Sequence, residues 1–307
     1  VSYLALAAVG LAAALDALVG EVPAAIHPVA LLGWVAAIFD REWVAPRFAG
    51  SVVALALPLL VAVLAASVVS ASAALSPLVP GLVAALVLFV TTSLRLLLGE
   101  ARAVVALVED DLATARVRLR SLAGRDASDL SAEEVRSAVI ESLAENLADG
   151  LVAPLLAFVV LAPVSLAAAA GGAAWVKAVN TLDSMLGYPE KPHGWASARL
   201  DDLVMFLPAR VSAVLLAVAA GQPDAAWRAR KWARAPPSPN SGWPMATLAA
   251  ALAVRLEKPG VYVLNELGRL PDTRAAERAI AVTRRAGVLA WAVTALFAWR
   301  LVPGVVA

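Results

Sequence analysis

No cysteine occurs among the 307 residues. That excludes disulfides, thiolate catalysis and Cys-ligated zinc or iron–sulfur centres, and leaves the compartment open. Two histidines are too few for a His-based metal site. Charged residues make up only 16% of the chain and the formal net charge is +1, so the charge balance points to no nucleic-acid or acidic partner. The sequence contains no G-x-x-x-x-G-K-[ST], G-x-S-x-G or H-E-x-x-H. It therefore has no Walker A loop, no nucleophile elbow and no zincin helix. The N-terminal apolar run has neither a basic n-region nor a small-residue cleavage site, and reads as a retained first helix rather than a signal peptide. No internal repeat and no long disordered tract is visible.

What fills the chain instead is Ala, Val and Leu. Hydrophobic residues reach 61% and mean hydropathy is +0.80, far above the roughly 45–50% apolar content of soluble domains. They come in blocks of the length that crosses a bilayer, about 20 residues. The blocks run from Ser2 to Val19 (with Asp16 near its end), Val52 to Val69, Leu82 to Leu98, Leu151 to Val176, Leu203 to Ala220 and Ala286 to Val302. Pro154, Pro163 and Gly171-Gly172 interrupt the fourth, and Pro208 and Arg210 interrupt the fifth. The expectation is one all-α, polytopic integral-membrane domain over residues 1–307, with four to six spanning or re-entrant helices and amphipathic cytoplasmic helices.

Polar segments at 21–49, 99–150, 177–202 and 221–285 separate these blocks. Ser76-Pro77 with Pro80-Gly81 predicts a tight hairpin between the second and third blocks. Glu100–Leu122 reads as one amphipathic helix, on which Arg116, Arg118 and Arg120 form a solvated or headgroup-facing surface. Ser131 to Glu134 has the capping-box pattern and starts a helix to about Asp149. Gln222–Arg285 reads as a long mixed loop. Arg and Lys concentrate in Glu100–Gly150 and Gln222–Arg285, which places both in the cytoplasm, on the same side as Glu21–Arg47. Simple alternation of spans puts Lys177–Asp202 on the opposite side.

Three stretches carry candidate chemistry. Glu141, Glu145 and Asp149, spaced four apart, share one helix face without interleaved Lys or Arg. Such a face suits Mg²⁺ carrying a nucleotide's phosphates, or it is an exposed acidic surface; spacing does not choose. Lys177 to Asp202 is dense in phosphate-, carboxylate- and metal-binding types (Lys177, Asp183, Arg199, Asp201, Asp202) at the edge of apolar spans, where ionisable groups are costly and usually functional. Snorkelling cations and helix-capping Asp residues explain one or two of them. Pro236 to Pro244, with four prolines in nine residues, predicts an extended interfacial loop presenting Asn240 and Ser241, with Trp243 as an anchor. His27, before Pro28, reads as a hydrogen-bonded structural residue.

These stretches resemble the signatures of the adenosylcobinamide-phosphate synthase family of cobalamin biosynthesis (CobD/CbiB). The resemblance runs through His27-Pro28-Val29 with Leu32-Gly33, ESLAENLADGLVAP at 141–154, KAVNTLDSMLG at 177–187, GWASARLDDLVMFLPAR at 194–210 and PSPNSGW at 237–243. YPEKPH between Gly187 and Gly194 departs from it, and the chain after Leu256 fits more loosely. The resemblance implies ATP-dependent amide ligation of adenosylcobyric acid with (R)-1-amino-2-propanol O-phosphate, or aminopropanol. ATP activates the corrinoid carboxylate as an acyl phosphate that a neutral amine attacks, which needs Mg²⁺ and cations against phosphate charge and a group that accepts the amine proton.

Within these motifs the working assignment is that Glu141, Glu145, Asp149 and Asp183 serve metal binding or proton transfer, with Glu145, Asp149 and Asp183 as Mg²⁺ ligands. Lys177, Arg199 and Arg210 hold phosphate or the corrinoid carboxylate. Asn146, Asn180 and Asn240 position amides, Trp195 or Trp243 stacks on the corrin plane, and His27, Asp201 and Asp202 complete the substrate-binding set. Implied partners are the corrinoid and aminopropanol substrates and the lipid bilayer. Self-association or a complex with later membrane enzymes of cobalamin assembly is a further expectation, and nucleic acid is not one. The active site is expected on the cytoplasmic face of the cell membrane. Two rivals remain: a non-catalytic corrinoid-binding or transport protein, and a membrane signalling protein. An ATP-using site also requires the 141–150 and 177–202 motifs to meet, which simple alternation forbids. A re-entrant hairpin over Leu151–Val176 would return the chain to its starting face.

Overall fold

Where water is scarce, a helix meets every backbone donor and acceptor within its own segment, and the apolar blocks accordingly become helices. The computed structural model describes residues 2–124 and 126–300. In order the chain forms α1 (Ser2–Leu18), α2 (Pro28–Ile38), α3 (Pro46–Ser72), α4 (Val79–Thr91), α5 (Leu94–Asp110), α6 (Leu112–Leu119) and α7 (Ala132–Leu147). Then come α8 (Ala153–Leu161), α9 (Leu166–Leu186), α10 (Trp195–Val204), α11 (Phe206–Ala219), α12 (Ala225–Arg228) and α13 (Gly242–Leu252). An antiparallel pair, β1 (Leu256–Lys258) and β2 (Tyr262–Leu264), precedes α14 (Thr273–Arg300).

Among the described residues four helical stretches are long and apolar enough to cross a membrane: Pro46–Ser72, Val79–Asp110, Ala132–Leu161 and Thr273–Arg300. The broken pair Pro192–Val204 and Phe206–Ala219 adds a fifth if it is one span. The expected all-α membrane class is therefore what the chain adopts. α3 shows the physical reason most clearly. Only 17% of its apolar window is buried inside the protein, leaving Leu55, Leu59, Leu60, Val63, Leu64 and Val68 exposed. A continuous apolar face of that length needs lipid to cover it.

Local signals account for several boundaries. The capping box forms as read: Ser131 Oγ accepts the Glu134 N–H (3.2 Å) and Glu134 accepts the Ser131 N–H (2.6 Å). Four expectations are corrected. The amphipathic helix Glu100–Leu122 is two helices, because the Asp111 carboxylate accepts the Thr114 N–H (3.0 Å) and starts α6 afresh. The block Leu82–Leu98 breaks at Thr92-Ser93. Gln222–Arg285 is not a loop: it holds α12, α13, the β-hairpin and the start of α14. The last helix begins at Thr273, well before the expected Ala286, and residues 301–302 of that expected span lie outside the described residues.

The interrupted block Leu151–Val176 forms a helical hairpin, α8 turning into α9 around Pro163. Gly171-Gly172 does not interrupt it. The pair lies inside α9 as a close-packing surface, where a Cβ at Gly171 would stand 2.9 Å from the Ala62 carbonyl oxygen of α3 and one at Gly172 would collide with Leu161 of α8.

The chain divides into two compact units, each built from separate stretches. The first takes the residues up to Ser93, Asp149–Met205 and those from Ala290 on. Its hub is α9, which packs on α2, α3, α4, α8 and α10. The second takes Leu94–Ala148 and Phe206–Leu289. Its hub is α7, buried from Val135 to Ala144 and packed on α5, α6, α11, α13 and β1.

Candidate functional site

The first unit carries a cluster of polar side chains around its central helix α9, and a proline shapes one side of it. Pro154 has no N–H, so the carbonyl four residues earlier, that of Gly150, loses its helical partner. The chain responds with a single π turn over Ala148–Val152. The freed Gly150 oxygen accepts the Ser93 N–H (3.0 Å), itself released where α4 breaks. Two helix defects thus satisfy each other. Gly150 also lets Ser93 approach, since an added Cβ would lie 2.8 Å from Ser93 Oγ. Asp149, on this turn, accepts a hydrogen bond from Asn180 Nδ2 (3.2 Å) on α9.

The hairpin thereby joins the two motifs that simple alternation separates. Lys177 lies three residues before Asn180, on the same side of α9. Asp149, Glu21 and Asp201 all lie within electrostatic range of its ammonium. Asp183 lies within range of Asp149 and Asp202. The hydroxyls of the same motif are used locally: Thr181 donates to the Lys177 carbonyl (2.8 Å) and Ser184 to that of Asn180 (2.9 Å). The amide and carboxylates, rather than Thr181 or Ser184, face the cluster's chemistry.

α10 brings Asp201 and Asp202. Asp202 is bonded by the exposed Arg199 (3.1 Å), while Asp201 Oδ1 is buried without a hydrogen-bond partner among the described residues. Glu21 Oε2 is a second such atom. Unmet buried acceptors flanking one lysine are uncommon in a settled interior and mark a place that a proton, water or ligand completes. The other Glu21 oxygen lies 2.8 Å from His27 Nε2. His27 Nδ1 accepts the Val29 N–H (3.2 Å) and caps α2, so its proton is on Nε2 and is donated to Glu21. Burial, with the Lys177 charge second, holds this imidazole below its usual pKa. Burial raises the Glu21 carboxyl, Lys177 opposing that shift and Asp16 adding to it. Trp195, at the start of α10, is about half exposed and lies 5.9 Å from the Arg47 guanidinium.

The other expected site residues belong to the second unit. Glu141 is fully buried, accepting from Ser137 Oγ (2.9 Å) and Tyr262 Oη (2.8 Å). Ser137 Oγ in turn receives the Glu257 N–H (2.9 Å), which ties the β-hairpin to α7. Asn146 donates to the Ser142 carbonyl (3.0 Å) and that of Leu122 (3.4 Å). Glu145 is half-buried. Arg210, Asn240 and Trp243 do come together: the Arg210 guanidinium bonds Asn240 Oδ1 and the Pro239 carbonyl (3.3 Å), and sits 5.0 Å from the Trp243 ring. The expected extended Pro-rich loop is instead a run of turns leading into α13, and Asn240 is buried within it. Fixed proline φ angles suit tight turns as well as extended chain.

Glu21 and Asp16 were missed as cluster members. The available signal was Asp16 itself, the one charge in the first apolar block. The donor set bears on the implied Mg²⁺. Among the described residues no group of three or more His, Asp or Glu side chains, the expected Glu145, Asp149 and Asp183 included, could hold a metal ion. A protein-only cage of those three carboxylates does not fit this arrangement. One or two carboxylates completing the shell of a metal carried by phosphates is the mode still open to it.

Apolar helices that bring together a lysine, several carboxylates and an amide define a polytopic helical protein with an enzyme-like polar centre. The chain belongs to the CobD/CbiB family, whose model, described as CobD/Cbib protein, matches residues 9–290. It is 34% identical over 300 residues to the "Probable cobalamin biosynthesis protein CobD" of Methanothrix thermoacetophila, covering 93% of this chain and 94% of that one. It is 39% identical over 268 residues to the cobalamin biosynthesis protein CobD of Pelobacter propionicus, covering 82% and 80%. With that of Klebsiella pneumoniae it shares 38% over 267 residues, 81% of each chain. No solved structure matches.

Proposed function

We propose that this chain is a biosynthetic enzyme of cobalamin assembly that joins adenosylcobyric acid to (R)-1-amino-2-propanol O-phosphate, or to the free aminopropanol, through an amide bond at the expense of ATP. The family supports the pathway. The observation that carries the chemistry is Lys177 set among Asp149, Asn180, Glu21 and Asp201, with two buried carboxylate oxygens that have no hydrogen-bond partner among the described residues.

A corrinoid carboxylate is a poor acyl donor, and ATP with its metal supplies the activation. The chain's own residues do the rest. Lys177 neutralises the incoming carboxylate or phosphate. Asp149, oriented by Asn180, and Asp201, with its free oxygen, are the groups placed to accept the amine proton as the amide forms. The exposed Arg199 and half-exposed Trp195 meet the parts of the substrate that remain outside. Asp149 and Asp183 are the carboxylates available to a phosphate-borne metal. The centre works on the cytoplasmic face, where ATP is.

The test uses purified chain in detergent with corrinoid acid, amine and ATP. Mass spectrometry should find the amide, and ATP consumption should require both organic substrates together. ATP consumption independent of the amine, or corrinoid binding with no amide formed, would overturn this reading in favour of a binding or transport protein.

A further inference from the structure

The second unit holds a cleft of about 690 Å³ lined by Trp227, Arg228, Arg230, Lys231, Arg234 and Trp243. Four of the six lining residues are cations and none is a carboxylate. Arg228 is committed to its neighbours, pairing with Asp224 and donating to Gln222 Oε1 (2.8 Å). Among the described residues no carboxylate forms an ion pair with Arg230, Lys231 or Arg234. Arg230 lies 4.0 Å from the Trp227 ring, and Arg210 brings a further cation to Trp243 at 5.0 Å. Like charges gathered in one concavity repel and raise the local concentration of anions.

We propose that this cleft binds the polyphosphate of a nucleoside triphosphate, with the base against the indole of Trp227 or Trp243. Three features select this ligand. A phosphate monoester brings only about two negative charges, too few for the three lining cations that no described carboxylate pairs, whereas a triphosphate carries enough for all of them. Guanidinium forks suit phosphate oxygens bidentately, and an indole face takes any planar base. The volume lies within the roughly 300–1,000 Å³ of small-molecule sites. A chain without a Walker A loop must hold phosphates with side chains, and this cleft supplies them. The choice of a nucleotide rests on the proposed ligation, but its binding to this cleft is measurable without it.

The full chain in nanodiscs of uncharged phosphatidylcholine is titrated with ATP, and binding is read from tryptophan fluorescence and equilibrium dialysis. Lys231→Ala with Arg234→Ala should raise the ATP Kd about tenfold or more, and Lys231→Arg should stay within about threefold. Both variants should melt with the wild type. Trp227→Ala should weaken ATP but not inorganic tripolyphosphate. The proposal fails if the wild type does not bind ATP, if the folded double variant binds it as the wild type does, or if anionic phospholipid in the disc displaces it, which would make the cleft a headgroup site. Normal ligation with ATP binding unchanged in the double variant removes the cleft and spares the ligation reading. Cleft-dependent ATP binding without ligation supports the cleft and removes that reading.

Discussion

Glu141 and Asp149 lie eight residues apart in one motif and were expected on one helix face, yet they end in opposite circumstances. Glu141 is wholly enclosed in the second unit, where Ser137 and Tyr262 occupy its oxygens and the β-hairpin hangs on the result. Asp149 rides a π turn in the first unit, holds one amide and faces a lysine and other carboxylates. The difference is one of saturation. A carboxylate whose acceptors are filled by its own protein stabilises a fold, and one left among unmet groups is available for chemistry.

The comparison can be broken by exchange of readouts. Asp149→Asn and Lys177→Met are expected to cut ligation by about 100-fold or more, the usual scale for losing a positioned proton acceptor or charge stabiliser. Their thermal melts should stay close to wild type. Parallel loss of melting temperature would make Asp149 a structural residue like Glu141. Next in size, Pro154→Ala restores an N–H that competes for the Gly150 carbonyl, straightens the π turn and re-aims Asp149. About a tenfold fall in kcat without loss of stability is the expectation, and an unchanged rate would dissociate the turn from the chemistry.

Tyr262→Phe and Glu141→Gln should each cost about 1–3 kcal/mol of stability, measured by denaturant or thermal unfolding. Ligation per folded molecule should remain within about twofold. A large kcat effect on a stable Glu141→Gln protein would move Glu141 into the reacting centre.

The smallest effect concerns Asp40, bonded by Lys191 (2.7 Å) and His193 (3.2 Å). Lys191 holds its carboxyl below the usual value, with a lesser contribution from His193. A lowered folded value means that the stabilisation is present above the unfolded value, near pH 4, and is lost as pH falls through the folded one. Asp40→Asn should remove that acid-side component alone. Because the pair is partly exposed, the change should stay below about 1 kcal/mol, visible as a shallower loss of melting temperature on acidification.

Much of this was legible in the sequence because it is local. The apolar character of the blocks, the capping box at Ser131–Glu134 and the turn before α4 depend on neighbours within a few residues; the capping box and the turn appear where the pattern put them, while several block boundaries moved. The candidate site was legible in part. Asp149, Lys177, Asn180, Asp183, Asp201 and Asp202 stood out as ionisable or amide groups at span ends, and they gather in one unit. Asp16 stood out as the one charge in the first apolar block but was not tied to the cluster, and Glu21 did not stand out, since a single acid near an apolar run has no spacing that names its partners. The loop expected over Gln222–Arg285 failed because short helices and a three-residue hairpin leave no sustained periodicity.

The amino-acid order by itself determined a helical membrane protein with its polar chemistry confined to helix ends, because bilayer length and backbone hydrogen bonding admit few alternatives. Only the tertiary structure decided which acidic residues are spent and which remain available. The hairpin at Pro163 and the exchange between Ser93 and Gly150 bring distant segments together, and sequence spacing carries no information about which carboxylate then finds its oxygens already filled.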